Sequence, residues 1–122
     1  MILVDTSVWV DHLRSGDNQL ARLLVQQSVL CHPFIIGELM LGQLSNRSAI
    51  LNDLENLPAA PVASDTEVRW LIDLHRLPGS GIGYVDAHLA ASALLCGARG
   101  LWTRDKRLLR VLDQLALNLR LD

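Results

Sequence analysis

The chain has 122 residues, of which half are hydrophobic and a fifth are charged, with a formal charge of −2 at neutral pH. This length fits one domain over residues 1–122, and the composition excludes a disordered, acidic-tail or collagen-like chain. Because the net charge is slightly negative, contact with nucleic acid would need a local basic patch.

The cysteines and the apolar segments indicate where in the cell the protein is located. Cys31 and Cys96 are too few for a disulfide framework and lack zinc-site spacing, so we expect free, buried thiols. No segment approaches the roughly 18 apolar residues of a membrane span, and residues 1–4 lack the basic start of a signal peptide. The sequence therefore predicts a cytoplasmic protein with no membrane association.

The first half of the chain predicts two short strands, each followed by helices. Residues 1–4 are apolar and too few for a helix, which indicates a buried strand, and a second strand is expected over 28–32. Helices are predicted from Thr6 to about Gly16, from Asp17 or Asn18 through Leu24, from Pro33 to about Leu44, and from Asn46 to Leu57.

The second half continues the alternation of strands and helices. Its predicted elements are a short strand near Val62, a helix opened by the capping box at 64–67, a loop over 77–83, an apolar helix over 84–98, a strand over 101–103, a short helix to about Gln114, and a last strand over 117–121. Such alternation favours an α/β fold, a three-layer α/β/α domain with a mainly parallel central sheet.

Two acidic residues follow predicted strands. Asp5 comes directly after the first strand, and Asp105 comes two residues after the strand over 101–103. Ligand sites of parallel sheets lie beyond the carboxyl ends of the strands, so both carboxylates are expected at one edge. The alternative is that each aspartate only caps the helix that follows it.

Two further acids lie on helix faces that are otherwise apolar. Glu38 shares its face with Ile35 and Leu39, and Asp86 shares its face with Leu89 and Ala90. Each could instead lie at the edge of its face and reach solvent. If the four acids lie together, their like charges raise each other's pKa, and a divalent cation bound among them would offset this repulsion. Ligation by oxygen atoms alone favours Mg²⁺ or Mn²⁺. Such a site suits phosphoryl chemistry.

Four segments, 4–9, 36–39, 86–91 and 101–105, resemble in order and approximate spacing the motifs of the PIN-domain nuclease family. More narrowly, they resemble the VapC-type toxins of bacterial toxin–antitoxin pairs. The resemblance covers nearly the whole chain. It implies a Mg²⁺- or Mn²⁺-dependent endoribonuclease that is inhibited by a small VapB-like antitoxin and forms a homodimer or a toxin–antitoxin hetero-oligomer.

Carried over residue by residue, the resemblance gives six positions a role. The catalytic and metal-binding acids would be Asp5, Glu38, Asp86 and Asp105. Thr6 and Thr103 match hydroxyl positions that orient a carboxylate or a metal-bound water. Some relatives have a further acid near the fourth one, where this chain has basic neighbours. The number of metal ions, one or two, therefore stays open.

The most basic stretch, 99–110, flanks the fourth acid. Arg104, Lys106 and Arg107 are predicted to position RNA phosphates, and the alternative is a solvated helix face. Trp9 and Trp102 could stack on bases, although a place in the core is favoured. The glycine-rich loop 79–83 is a mobile flap or, more simply, a surface connection.

Two other functions compete with a nuclease. A PIN-like module without catalysis would serve only to bind a partner protein, and the leucine-rich faces of helices 6–27 and 33–57 could form a dimer interface, an antitoxin groove or simply core. A phosphotransfer domain would also place an aspartate such as Asp5 after a buried strand. Such a domain would need a second aspartate at position 7, where this chain has Ser7, or a suitably placed lysine. Lys106 is the only lysine in the chain and directly follows an acid.

Overall fold

The computed structural model describes all 122 residues and has a parallel sheet of three strands at its centre. In chain order these are β1 (Ile2–Val4), β2 (Val29–Leu30) and β3 (Gly100–Trp102). β1 lies in the middle, in the order β2-β1-β3, and its Leu3 pairs with Leu30 on one side and Leu101 on the other. The sheet and its helices confirm the predicted three-layer α/β/α class.

Seven helices surround the sheet. They are α1 (Thr6–Ser15), α2 (Asn18–Val25), α3 (Pro33–Met40), α4 (Arg47–Glu55), α5 (Asp65–Leu74), α6 (Tyr84–Leu95) and α7 (Lys106–Gln114). Most begin where the sequence offers a polar cap: the side chains of Asp5, Asp17, Ser64 and Asp105 accept hydrogen bonds from backbone N–H groups of the first turns of α1, α2, α5 and α7. The predicted helices are all present, and α3 and α6 end earlier than expected.

The core is built on the strands and on α6. Every strand residue is buried, and so is each of the seven consecutive residues 87–93 of α6. Three alanines in that stretch are at most 2% exposed: Ala87, Ala90 and Ala93. Such small side chains let a helix pack closely on its neighbours, which is why α6 tolerates burial on nearly all sides.

Two of the predicted strands are absent from the structure. Near Val62 there is no strand, and the chain makes only one parallel bridge earlier, between Cys31 and Ala59. Over 117–121 the chain is irregular because Ala116 and Arg120 adopt positive φ angles of 57° and 54°. The Leu117 carbonyl still accepts a hydrogen bond from the N–H of Leu101 in β3.

One cysteine lies differently from expectation, and both tryptophans lie in the core, as the sequence favoured. Cys31 is buried, whereas Cys96, at the end of α6, is exposed, which corrects the prediction of two buried thiols. Trp9 and Trp102 are each only 3% exposed, so both belong to the core and neither offers a face to a base. None of the helices combines the length and apolarity that crossing a membrane would require.

Candidate active site

The four predicted acids lie at the edge of the sheet formed by the carboxyl ends of its strands, or on the helices beside it. Asp5 follows the central strand β1, and Asp105 follows its neighbour β3 and caps α7. Glu38 is in α3, which follows β2 on the other side, and Asp86 is in the first turn of α6. The chain thus brings acids from both neighbours of β1 towards the end of β1 itself.

Asp5 is held by two hydroxyl groups. Ser7 Oγ donates to Asp5 Oδ2 at 2.7 Å, and Thr103 Oγ1 donates to the same oxygen at 2.8 Å. Asp5 is only 6% exposed. These bonds fix one carboxylate oxygen, while Oδ1 receives no hydrogen bond from the protein.

Glu38 is exposed, and it is oriented by the residue that follows Asp5. Thr6 Oγ1 donates to Glu38 Oε1 at 2.8 Å. The two predicted threonines therefore each contact a different acid from the one beside them in sequence, since Thr103 contacts Asp5. One bond thus ties Glu38 to the segment that holds Asp5, and the other ties Asp5 to the segment that holds Asp105.

The carboxyl group of Asp86 has a raised pKa. Burial raises its pKa first, and the charges of Asp5, Asp105 and Glu38 raise it further. The N–H of Gly83 donates to Asp86 Oδ2 at 3.1 Å, which acts in the opposite direction. Because three separate acids act on Asp86, the four carboxylates share one electrostatic environment.

The helices that hold Glu38 and Asp86 are joined by a buried hydrogen bond. His32 Nδ1 accepts from the N–H of Phe34, so Nε2 has the proton and donates to Ser92 Oγ at 3.0 Å. Burial, together with the neighbouring His88, lowers the pKa of His32, which favours this neutral form. The bond anchors the start of α3 against α6.

The donor set fits a hard divalent cation. Each of the four acids uses one oxygen in the hydrogen bonds described, with Asp105 Oδ1 accepting from the N–H groups of Arg107 and Leu108, and keeps its other oxygen without a protein donor. Carboxylate oxygens are the ligands that Mg²⁺ and Mn²⁺ prefer. The acids stand apart: no three His, Cys, Asp or Glu side chains are grouped at metal-ligand spacing.

Comparison with known proteins assigns the family. Residues 2–113 match the family model described as the PIN domain. The chain belongs to the PIN-domain family. This confirms the resemblance found in the four sequence segments, and nucleases of this family are generally dependent on divalent metal ions.

The PIN domain also has curated relatives. It is 50% identical over 108 residues to Ribonuclease VapC32 of Mycobacterium tuberculosis, in strain CDC 1551 / Oshkosh and in strain ATCC 25618 / H37Rv. In both comparisons the aligned part covers 88% of this chain and 87% of the relative. The match therefore extends over nearly the full length of each protein.

Arg104, one of the residues predicted to contact RNA phosphates, is bound within this PIN domain. Its guanidinium contacts three carboxylates: Asp11 at 2.7 Å, Asp17 at 2.5 Å and Asp122 at 3.2 Å. Hydrogen bonds to Asp17 and then Asp122 raise the pKa of Arg104, and the bond from Arg104 lowers the pKa of Asp17. With its donors engaged, Arg104 secures the end of the chain, and its contact with RNA phosphates stays a prediction.

The side chains of Lys106 and Arg107 are free to contact a ligand. Both are exposed, at the start of α7, and neither side chain takes part in an ion pair or a hydrogen bond. They lie one and two residues beyond Asp105. Their position is compatible with the predicted contact to RNA phosphates.

Ser7 is a site residue that sequence reasoning missed. Its hydroxyl accepts from the N–H of Arg104 at 3.0 Å and donates to Asp5, which links β3 to the first acid. The available signal was its spacing: Ser7 follows Asp5 by two residues, as an Asx-type turn favours.

Proposed function

We propose that this chain is an endoribonuclease of the VapC type that hydrolyses RNA phosphodiester bonds with Mg²⁺ or Mn²⁺ held by Asp5, Glu38, Asp86 and Asp105. The observation on which this rests is the shared field of the four acids, in which three of them raise the pKa of Asp86. The PIN-domain match and the relative named as a ribonuclease support the same activity.

The four acids would hold the cation, and each has one carboxylate oxygen without a protein donor that is available for it. Bound there, a divalent ion supplies an activated water and offsets charge on the phosphate oxygens. Ser7 and Thr103 orient Asp5, and Thr6 orients Glu38, so that the free oxygens keep their directions. No histidine side chain is hydrogen-bonded to these four acids, and none is needed as a base.

We also propose a small VapB-like antitoxin as the inhibitory partner. A groove of about 410 Å³ lies between α1, α3 and α4, with apolar lining from Val10, Leu13, Leu39, Leu44 and Ile50, and Glu38 is at its border. An apolar helix of the antitoxin seated in this groove would block access to Glu38. A homodimer or a toxin–antitoxin hetero-oligomer, and a cytoplasmic location, remain predictions.

The test is cleavage of a mixed-sequence single-stranded RNA by the purified chain with Mg²⁺, with Mn²⁺, and with EDTA. We expect cleavage that requires the metal, and a loss of at least about 100-fold in Asp5→Asn and Glu38→Gln. Asp73→Asn and Glu55→Gln are the matched controls, because both residues are exposed and their side chains make no hydrogen bond.

Two results would contradict the proposal. Cleavage that persists in EDTA, or full activity of Asp5→Asn, would remove the metal site. A folded wild-type chain that cleaves no RNA with either metal would favour a PIN-like module that only binds a partner.

A further inference from the structure

Arg107 lies against the backbone of the glycine-rich loop that precedes α6. A Cβ atom on Gly81 would lie 2.9 Å from Arg107 Cδ and 3.4 Å from its Nε, closer than side chains normally approach. Gly81 also has a φ of 86°, which L-residues with side chains adopt only with strain. The position therefore admits the arginine stem only because it has no side chain.

The guanidinium of Arg107 has no partner in the protein, and its stem lies beside Gly81. Arg107 is exposed and takes part in none of the five ion pairs of the chain, in contrast to Arg104, which contacts three carboxylates. An exposed arginine whose guanidinium donors are unused can bind an anionic ligand.

This contact bridges the segments that hold two of the acids. The N–H of Arg107 donates to Asp105 Oδ1 at 2.9 Å, and the N–H of Gly83, two residues after Gly81, donates to Asp86 Oδ2 at 3.1 Å. The backbone N–H groups of Gly81 and Ile82, between these points, donate to no acceptor in the protein. Unused donors thus lie between the segments that hold Asp105 and Asp86.

We propose that Arg107, together with the N–H groups of Gly81 and Ile82, forms a binding site for a phosphate of the RNA backbone next to the bond that is cut. The inference deepens the proposed nuclease function and rests on it. A positive side chain here offsets the repulsion between a polyanion and four carboxylates. Contacts of this kind set position on the strand and are independent of base sequence.

A pair of glycine variants isolates the contact. Gly79 and Gly81 have similar φ angles, 82° and 86°, but a Cβ on Gly79 would meet nothing within 4 Å. Gly79→Ala and Gly81→Ala therefore introduce the same backbone strain, and only the second displaces Arg107. Arg107→Gln removes the charge without backbone strain.

The measurement is affinity for a labelled single-stranded RNA in EDTA over a salt series, by fluorescence anisotropy. We expect Arg107→Gln to weaken binding about tenfold and to reduce the slope of log K against log salt by about 0.7. Gly81→Ala should approach the affinity of Arg107→Gln, Gly79→Ala should stay near wild type, and the double variant Gly81→Ala/Arg107→Gln should be no weaker than Arg107→Gln alone.

Several outcomes overturn the phosphate site. They are wild-type affinity in Arg107→Gln, equal affinities of the two glycine variants at equal melting temperatures, or no salt-sensitive binding by wild type. Cleavage by wild type in the presence of metal, with any of these results, overturns the phosphate site and leaves the nuclease intact. Binding that behaves as expected, without metal-dependent cleavage, overturns the nuclease instead.

Discussion

Asp5 receives its hydrogen bonds through two hydroxyl groups whose own directions are fixed by the backbone. The N–H of Arg104 donates to Ser7 Oγ, and the N–H of Asp105 donates to Thr103 Oγ1 at 3.1 Å. Each hydroxyl oxygen is thereby an acceptor, and its proton is directed at Asp5 Oδ2. The connection from β3 to α7 thus sets the orientation of an acid on the neighbouring strand.

Asp86 provides a prediction about pH. Its pKa is raised in the folded chain, first by burial and then by the other acids, so ionisation of Asp86 destabilises the metal-free fold. The stabilising contribution of the protonated form is complete below the ordinary carboxyl value of 3.8 and is lost as pH rises through the raised value. In EDTA at pH 7, Asp86→Asn should therefore melt roughly 2 to 5 °C above wild type.

Thermal unfolding from pH 4 to pH 8 checks this expectation. The two melting temperatures should converge as pH falls towards 4, and the exposed control Asp73→Asn should show no such convergence. Lower stability of Asp86→Asn than of wild type at pH 7 would contradict the electrostatic description of the site.

At the scale of elements, local patterns predicted the helices well and two strands poorly. Helix starts depend on nearby residues, such as Asp17 or the capping box at Ser64, and are readable in sequence. A strand requires a distant partner, and residues 117–121, in which leucines alternate with polar residues, have only one ladder-like bond, to Leu101. The contacts of Arg104 with three carboxylates could not be predicted from the sequence either, because Asp11 and Asp122 are remote from Arg104 along the chain.

Gly100 gives a prediction about how the last segment packs on β3. A Cβ at Gly100 would lie 2.3 Å from the Leu117 carbonyl oxygen and 2.6 Å from Leu119 Cγ, and the backbone atom cannot move aside easily. Gly100→Ala should lower the free energy of unfolding by about 2 kcal/mol. The measurement is urea unfolding of the purified variant in EDTA.

Gly37→Ala is its control. Gly37 lies within α3, where a Cβ would meet nothing within 4 Å, so alanine should raise stability by about 0.5–1 kcal/mol through its helix propensity. Equal effects of the two substitutions would contradict the packing of residues 117–119 against β3.

At the scale of the whole molecule, charge is distributed unevenly on a chain whose net charge is only −2. Four acids lie at the edge of the sheet formed by the carboxyl ends of the strands, or on the helices beside it, and the exposed Lys106 and Arg107 follow one of them, Asp105. The acids that follow predicted strands were sufficient to predict this edge of the sheet as the site, because parallel strands end on the same side. The hydroxyl groups that hold Asp5, and the loop that receives Arg107, depend on tertiary contacts and required the structure.

We propose that these four acids form one cation site, and thermal unfolding of the chain in the presence of Mn²⁺ decides whether they do. A ligand that binds only the folded chain raises its stability, by about 2.7 kcal/mol at one hundred times Kd, or roughly 10 °C for a domain of this size. We predict such a rise in wild type and in the control Asp73→Asn, and its loss in Asp5→Asn. An equal rise in Asp5→Asn, or no rise in wild type up to millimolar Mn²⁺, would contradict the claim.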